Sequence, residues 1–246
     1  MDEHSYGPDH PSVAIRLNNL AQLLKATNRL GEAEPLYRRA LAIDERSYGR
    51  DHPSVARDLN NLARLLQDTN RLDGAEPLMR RAVQIFEIAY GLEHPQVAAS
   101  LNNLAGLLQD TNRLDEAEPL IRRALAIGER AYGPDHPKVA IRLTSLAYLL
   151  RATNRMGEAE PLMRQALAIW EKAYGPDHPL VATSLNNLAE LLQATNRLDQ
   201  AEPLYRRALA IFEKSLGRDH PSTAAVRKNF AVLLRELGRD EEADRL

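Results

Sequence analysis

Residues 17–43, LNNLAQLLKATNRLGEAEPLYRRALAI, return with few changes at Leu59, Leu101, Leu143 and Leu185, always 42 residues on. A divergent sixth copy begins near Val226. The same register is kept by the pairs His10-Pro11, His52-Pro53, His94-Pro95, His136-Pro137, His178-Pro179 and His220-Pro221. A unit of this length cannot bury its apolar face alone, so a fixed period means a stack in which each unit relies on its neighbours. The repeats divide at 8–49, 50–91, 92–133, 134–175 and 176–217, with an incomplete copy at 218–246. Residues 1–7 align with 43–49, the end of a repeat's second helix, so the sequence reads as starting inside a longer array. Phe230, Gly238 and Arg245 depart from the repeat, as a capping unit near a natural C-terminus would.

Within one repeat, Pro11 suits the first position of a helix and places His10 at the cap. Val13, Leu17, Leu20 and Leu24 recur at helical spacing beside the small Ala14 and Ala21, which let a partner helix approach. Asn28 recurs as Asn70, Asn112, Asn154 and Asn196 and becomes Gly238 in the last copy. Asn and Gly share tolerance of the left-handed conformation that closes a helix. A second helix opens around Gly31, carries Pro35 near its start, and buries Ala33, Leu36, Tyr37, Ala40 and Leu41. Gly49 ends it. The expected fold is all-α, two antiparallel helices per repeat.

The formal net charge is −2 with 27% charged residues, a balance unlike that of a nucleic-acid or membrane-surface binder. No cysteine is present, which removes disulfides, thiolate nucleophiles and Cys-ligated metals. MDEHSYG has no signal-peptide character and no apolar run reaches membrane-spanning length, so a cytoplasmic protein is expected. Six of the seven histidines occupy one repeated position, where capping explains them better than a shared metal ion. The acid beside each (Asp9, Asp51, Glu93, Asp135, Asp177, Asp219) reads as a turn residue. Arg38-Arg39, Arg80-Arg81, Arg122-Arg123 and Arg206-Arg207 read as a salt-paired face with Glu34, Glu76, Glu118 and Glu202. No phosphate loop or catalytic constellation appears, and neither enzymatic activity nor a cofactor is expected.

This pattern resembles the tetratricopeptide repeat. Ala21, Ala33 and Ala40 match its small packing positions, and Leu17, Leu20, Leu24, Leu30 and Tyr37 its large ones. The 42-residue period, LNNLA, EAEPL, RRAL and the G-x-D-H-P-x-V-A junction resemble the repeats of kinesin light chains. The resemblance implies a right-handed superhelical solenoid that binds other proteins in a concave groove lined by the first helices. The heptad coiled coil of a light chain is missing, so the motor role is not carried over.

On each first helix, positions 15, 18, 19, 22 and 25 form a stripe away from Leu17, Leu20 and Leu24. Position 22 reads Gln22, Arg64, Gly106, Tyr148, Glu190, Val232, and position 15 is as varied, with Arg57 in the second copy. Position 25 carries Gln67, Gln109, Arg151 and Gln193. By the resemblance these line the groove; neutral drift at exposed sites is the competing account. An asparagine pair accompanies them: Asn18-Asn19, Asn60-Asn61, Asn102-Asn103 and Asn186-Asn187. Asn is a mediocre helix former, and its amide suits an extended peptide's backbone. We expect the first of each pair to face a peptide and the second to bond a neighbouring helix. Affinity is assigned to the asparagines and specificity to Arg57, Arg64, Tyr148, Arg151 and Glu190. The basic residues with which some relatives clamp a C-terminal carboxylate are replaced here by Asn18 and Asn61.

Two other functions compete. Near-identical repeats with incomplete ends suit self-assembly into a homo-oligomer. Single-stranded RNA binding is disfavoured by the near-neutral charge and the lack of an aromatic ladder. Position 44 reads Asp44, Phe86, Gly128, Trp170, Phe212, and its aromatics are expected to pack on the next repeat.

Overall fold

The computed structural model describes residues 7–246, so the alignment of residues 1–6 with a second-helix end lies outside the described residues. Among the described residues every regular element is a helix: α1 (Pro11–Ala26), α2 (Leu30–Tyr48), α3 (Pro53–Asp68), α4 (Leu72–Tyr90), α5 (Pro95–Asp110), α6 (Leu114–Tyr132), α7 (Pro137–Ala152), α8 (Met156–Tyr174), α9 (Pro179–Ala194), α10 (Leu198–Leu216), α11 (Pro221–Glu236) and the short α12 (Asp240–Ala243). Residues 1–127 and 128–246 form two compact units. Within each, consecutive helices pack as pairs, and each second helix also packs on the first helix of the following repeat.

The boundaries follow from local chemistry. His10 Nδ1 accepts from the Ser12 N–H at 3.2 Å, and His52, His94, His136, His178 and His220 cap their helices in the same way. Four of these imidazoles also pack against the tyrosine that ends the preceding helix, as in Tyr48–His52 with centroids 4.4 Å apart. Leu216 stands at that tyrosine's place before His220. Asn28, Asn70, Asn112, Asn154 and Asn196 have φ of 57–59°, and Gly238 has φ 73°, the left-handed closure expected. There the Arg29 N–H turns back to the Leu24 carbonyl at 2.8 Å. The second helix opens at Leu30, one residue before Gly31, and Pro35 lies inside it at the cost of about one hydrogen bond.

Ala14, Ala21, Ala33, Tyr37 and Ala40 are buried, as expected. Leu36 and Leu41 are only half-buried, because Ile43 fills the gap between helices instead; Ile85, Ile127, Ile169 and Ile211 repeat it. Leu20 corrects the expectation most clearly. It is 47% exposed, whereas Leu62, Leu104, Leu146 and Leu188 are at most 3% exposed. Leu23 behaves likewise at 61%, against at most 1% for Leu65, Leu107, Leu149 and Leu191. This face is covered by the second helix of the preceding repeat, and among the described residues none precedes α1.

Ion pairs stitch the outer surface within each unit. Arg71 reaches back to Glu34 and Arg113 to Glu76, both at 2.6 Å, and Arg197 reaches Glu160 at 2.7 Å. The paired arginines belong to this lattice: Arg80 bonds Glu76 within its helix, while Arg81 bonds Glu45 of the preceding repeat. Such exposed pairs are individually weak and screened by salt.

The left-handed turn gives a direct test. Asn112→Ala places a Cβ-bearing residue without a compensating amide at φ 57° and is expected to destabilise by about 1 kcal/mol, while Asn112→Gly is neutral or stabilising. Urea unfolding of both variants measures the difference.

Candidate functional site

In the first unit the stripe lies on α1, α3 and α5, which meet only sparsely and are joined by polar side chains. Asn18 is 4% exposed; its amide donates to the Ala14 carbonyl at 3.1 Å and to Asp58 Oδ1 at 2.9 Å, and accepts from Asn61 at 3.3 Å. Asn60 is also buried and donates to Ser100 Oγ at 2.7 Å. In these two pairs the first asparagine, expected to face a peptide, points instead at the following first helix, while Asn61 bonds a neighbouring helix as expected for the second of its pair. Arg57 is exposed but its guanidinium is engaged, bridging the buried Asp44 at 3.2 Å and Asp58 at 3.3 Å. Gln67 donates to Asp110 at 2.5 Å, and Lys25 pairs with Asp68 at 2.6 Å.

What stays open is narrower. Asn19, Gln22 and Arg64 are exposed, and Asn61, Asn102, Asn103 and Gln109 are half-buried. Gln22, Lys25, Ala26, Tyr37, Asn61 and Arg64 line a cleft of about 250 Å³ between α1 and α3. Burial raises the pKa of the Tyr37 hydroxyl, with Arg64 opposing and Asp68 reinforcing that shift. Arg64 forms no ion pair among the described residues, so it offers the cleft a free cation.

In the second unit the predicted residues converge on one carboxylate. Glu190 accepts from Arg151 at 2.9 Å, from Asn186 at 2.7 Å and from Asn229 at 2.9 Å, joining α7, α9 and α11. Arg151 also lies over the Tyr148 ring, 5.6 Å from its centroid. Gln193 accepts from the Tyr205 hydroxyl at 3.0 Å, and Asn187 is buried. Thr144 and Ser145, which replace the asparagines in α7, bond back to the carbonyls of Ala140 and Ile141. Asn229 was outside the predicted set, although its place in the last, Lys-substituted pair was visible.

Sequence reasoning missed the buried acid pair Asp44 and Asp58, 1% and 0% exposed. Burial raises both pKa values; for Asp58 the charge of Asp44 adds to it, Arg57 and Asn18 oppose, and the result is pushed up to about 7. The aromatics at the position of Asp44, namely Phe86, Trp170 and Phe212, are buried at 4–7% exposure, as expected for packing residues. Among the described residues no cluster of His, Asp and Glu is arranged to hold a metal, and no helix is long and apolar enough to cross a membrane.

Capped helix pairs at a fixed period, closed by left-handed asparagines and stacked through alanines, define a helical-repeat protein. The chain belongs to the tetratricopeptide repeat family, whose profile matches residues 1–46, 29–88, 59–129, 96–169, 143–214 and 185–246. The fold is shared with the nearly identical TPR-like repeats of a Podosopora anserina protein of kinesin light chain type, at 28% identity over 84% of this chain and 98% of that one, TM-score 0.69. BtubC from P. vanneervenii is similar at 22% identity over 95% and 87% of the two chains, TM-score 0.71. A Rap protein solved with Competence and Sporulation Factor is similar at 14% identity over 93% and 71%, TM-score 0.68. No curated protein matches the sequence.

The acid pair makes stability depend on pH. With its pKa raised from 3.8 to about 7, folded Asp58 keeps a proton that the unfolded chain releases, so this contribution is full below about pH 4, declines as pH rises to 7, and is flat above. Asp58→Asn retains the acceptor for Asn18 and removes the titration. It is expected to raise stability at pH 8 by roughly 1–3 kcal/mol and to flatten the profile between pH 4 and 7, as urea titrations at several pH values would register.

Proposed function

We propose that this protein is a non-catalytic scaffold that binds an extended peptide or protein segment along the stripe of its first helices. The observation that carries the reading is the contrast between an invariant framework and the open polar cleft of Gln22, Asn61 and Arg64. A cation without an acidic partner, an amide and the edge of a buried tyrosine offer charge, hydrogen bonds and apolar contact within one cleft. The Rap protein held with Competence and Sporulation Factor is an instance of this fold bound to another molecule. Within the first unit Asn19, Asn102, Asn103 and Gln109 extend the assigned surface, while Asn18 and Asn60 support it from behind; in the second unit Tyr148 carries the same stripe. The absence of catalysis and a cytoplasmic location are part of the same proposal.

Peptides selected by display on the immobilised chain are expected to lose at least tenfold in affinity on Gln22→Ala/Arg64→Ala, with helicity unchanged. Equal affinity on both chains would remove the groove assignment.

A second reading, self-association, is favoured by Leu20 and Leu23, which stand exposed on α1. Two copies that meet through α1 bury these leucines against each other and close at a dimer. Light scattering at rising concentration decides it: a dimer abolished by Leu23→Glu supports this reading, and a monomer throughout ends it.

A further inference from the structure

Most of each junction between repeats is uniform. The second helix presents Ile43, Ile85, Ile127, Ile169 or Ile211, and the next first helix presents Leu62, Leu104, Leu146 or Leu188, with Phe230 in the last copy. Identical surfaces cannot tell one neighbour from another. A chain of five near-identical repeats thus faces a specific hazard, pairing one repeat out of register or with a second copy.

One pair of buried positions breaks the uniformity. The second-helix residue next to the invariant Ile meets the first-helix residue after position 57 or its equivalents. The five junctions carry Asp44 with Asp58, Phe86 with Ser100, Gly128 with Arg142, Trp170 with Ser184, and Phe212 with Val226. Apart from Gly128, which has no side chain, all are at most 9% exposed. Beyond the first junction, where two acids meet, bulk on one side meets a small residue on the other, and the polarity reverses at the third. There the fit is tight: a Cβ on Gly128 would lie 3.3 Å from Arg142 Cδ and 3.4 Å from its Nε. Gly is a poor choice inside a helix, so its presence in α6 is explained by the arginine that lies across it. At the first junction Arg57 bridges the two acids.

We propose that this pair of positions is a register lock, whose keys refuse a one-repeat slip at the first three junctions, while the fourth and fifth both set an aromatic against a small residue. A slip by one repeat sets Phe86 against Arg142, overfilling the interface around a buried guanidinium. It sets Gly128 against Ser184, leaving a void, and Asp44 against Ser100, leaving a buried carboxylate without Arg57. The lock is independent of the groove and makes no use of its ligand.

Two experiments test it. In the first, Gly128→Phe is expected to lower the urea midpoint strongly or abolish folding, and adding Arg142→Ser, which installs the second junction's key, is expected to restore most of the loss. A double variant no better than the single one overturns the complementarity. In the second, all five junctions receive the Phe/Ser key through D44F, D58S, G128F, R142S, W170F and V226S. Slip is read by a short bismaleimide between cysteines at 45 and 123, since Glu45 pairs with Arg81 in register and Arg123 with Glu87. The cysteine-free background makes the readout clean. The E45C/R123C cross-link is expected in the uniform-key chain after refolding and not in the natural one, with E45C/R81C linking in both. No out-of-register link in the uniform-key chain overturns the lock.

Discussion

Leu62 and Leu65 leave water only when the second helix of the preceding repeat lies across them, and this dependence governs the rest of the structure. Each junction is a small hydrophobic interface made of side chains contributed by two repeats, so no helix pair is stable by itself. The small residues Ala14, Ala21, Ala33 and Ala40 set how closely the helices approach, and the left-handed asparagines set the angle at which the chain returns. Leu20 and Leu23, across which no helix lies among the described residues, are the exposed members of the same two positions. Hydrophobic burial of this kind is non-directional, which is why the array needs additional features to fix register. At the last junction, Arg227 takes a leucine position and bonds Glu213 of the preceding repeat and the Arg218 carbonyl.

Polar side chains do two jobs on the first helices. Asn18 and Asn60 are held between adjacent helices by Asp58 and Ser100, where an unsatisfied amide would be costly. Asn186 and Asn229 converge on Glu190 with Arg151, so three first helices share one charge-assisted network. In the first unit, Asn18 and Asn60 hold from behind the surface that carries the exposed Asn19, Gln22 and Arg64. A surface held in place from behind loses less entropy when a partner settles on it.

Much of the fold was legible in the sequence because the repeat supplies its own controls. The interchange of Asn28-type residues with Gly238 identified a left-handed turn, and the His-Pro pairs identified each helix start; φ angles and cap bonds agree with both. The site was less legible. A helical stripe tells which residues share a face, but not how far that face is tucked under the next helix, so Asn18 and Arg57 were assigned to a ligand although they meet Asp58. The acid pair escaped for a related reason: Asp44 and Asp58 lie in different repeats, and only the stack brings them together. Leu20 was misjudged because it was read like Leu62, with a preceding second helix across it, and among the described residues none precedes α1.

The structure also changes what variation along the stripe means. A residue that differs between repeats need not be reading a ligand if its partner in the next repeat differs with it. Lys25 faces Asp68, Gln67 faces Asp110, and Arg151 faces Glu190; each is a matched pair across a junction. Variation of this kind is internal bookkeeping of the stack. Subtracting it leaves Asn19, Gln22, Arg64, Gly106 and Tyr148, whose differences are not matched by an ion pair in the adjacent first helix except where Arg151 covers the Tyr148 ring. On the proposed reading, a ligand would therefore be distinguished at Gln22, Arg64, Gly106 and Tyr148, whereas Glu190, at the same position of the repeat, is already committed to Arg151. The positions on either side are largely taken up in holding the repeats together.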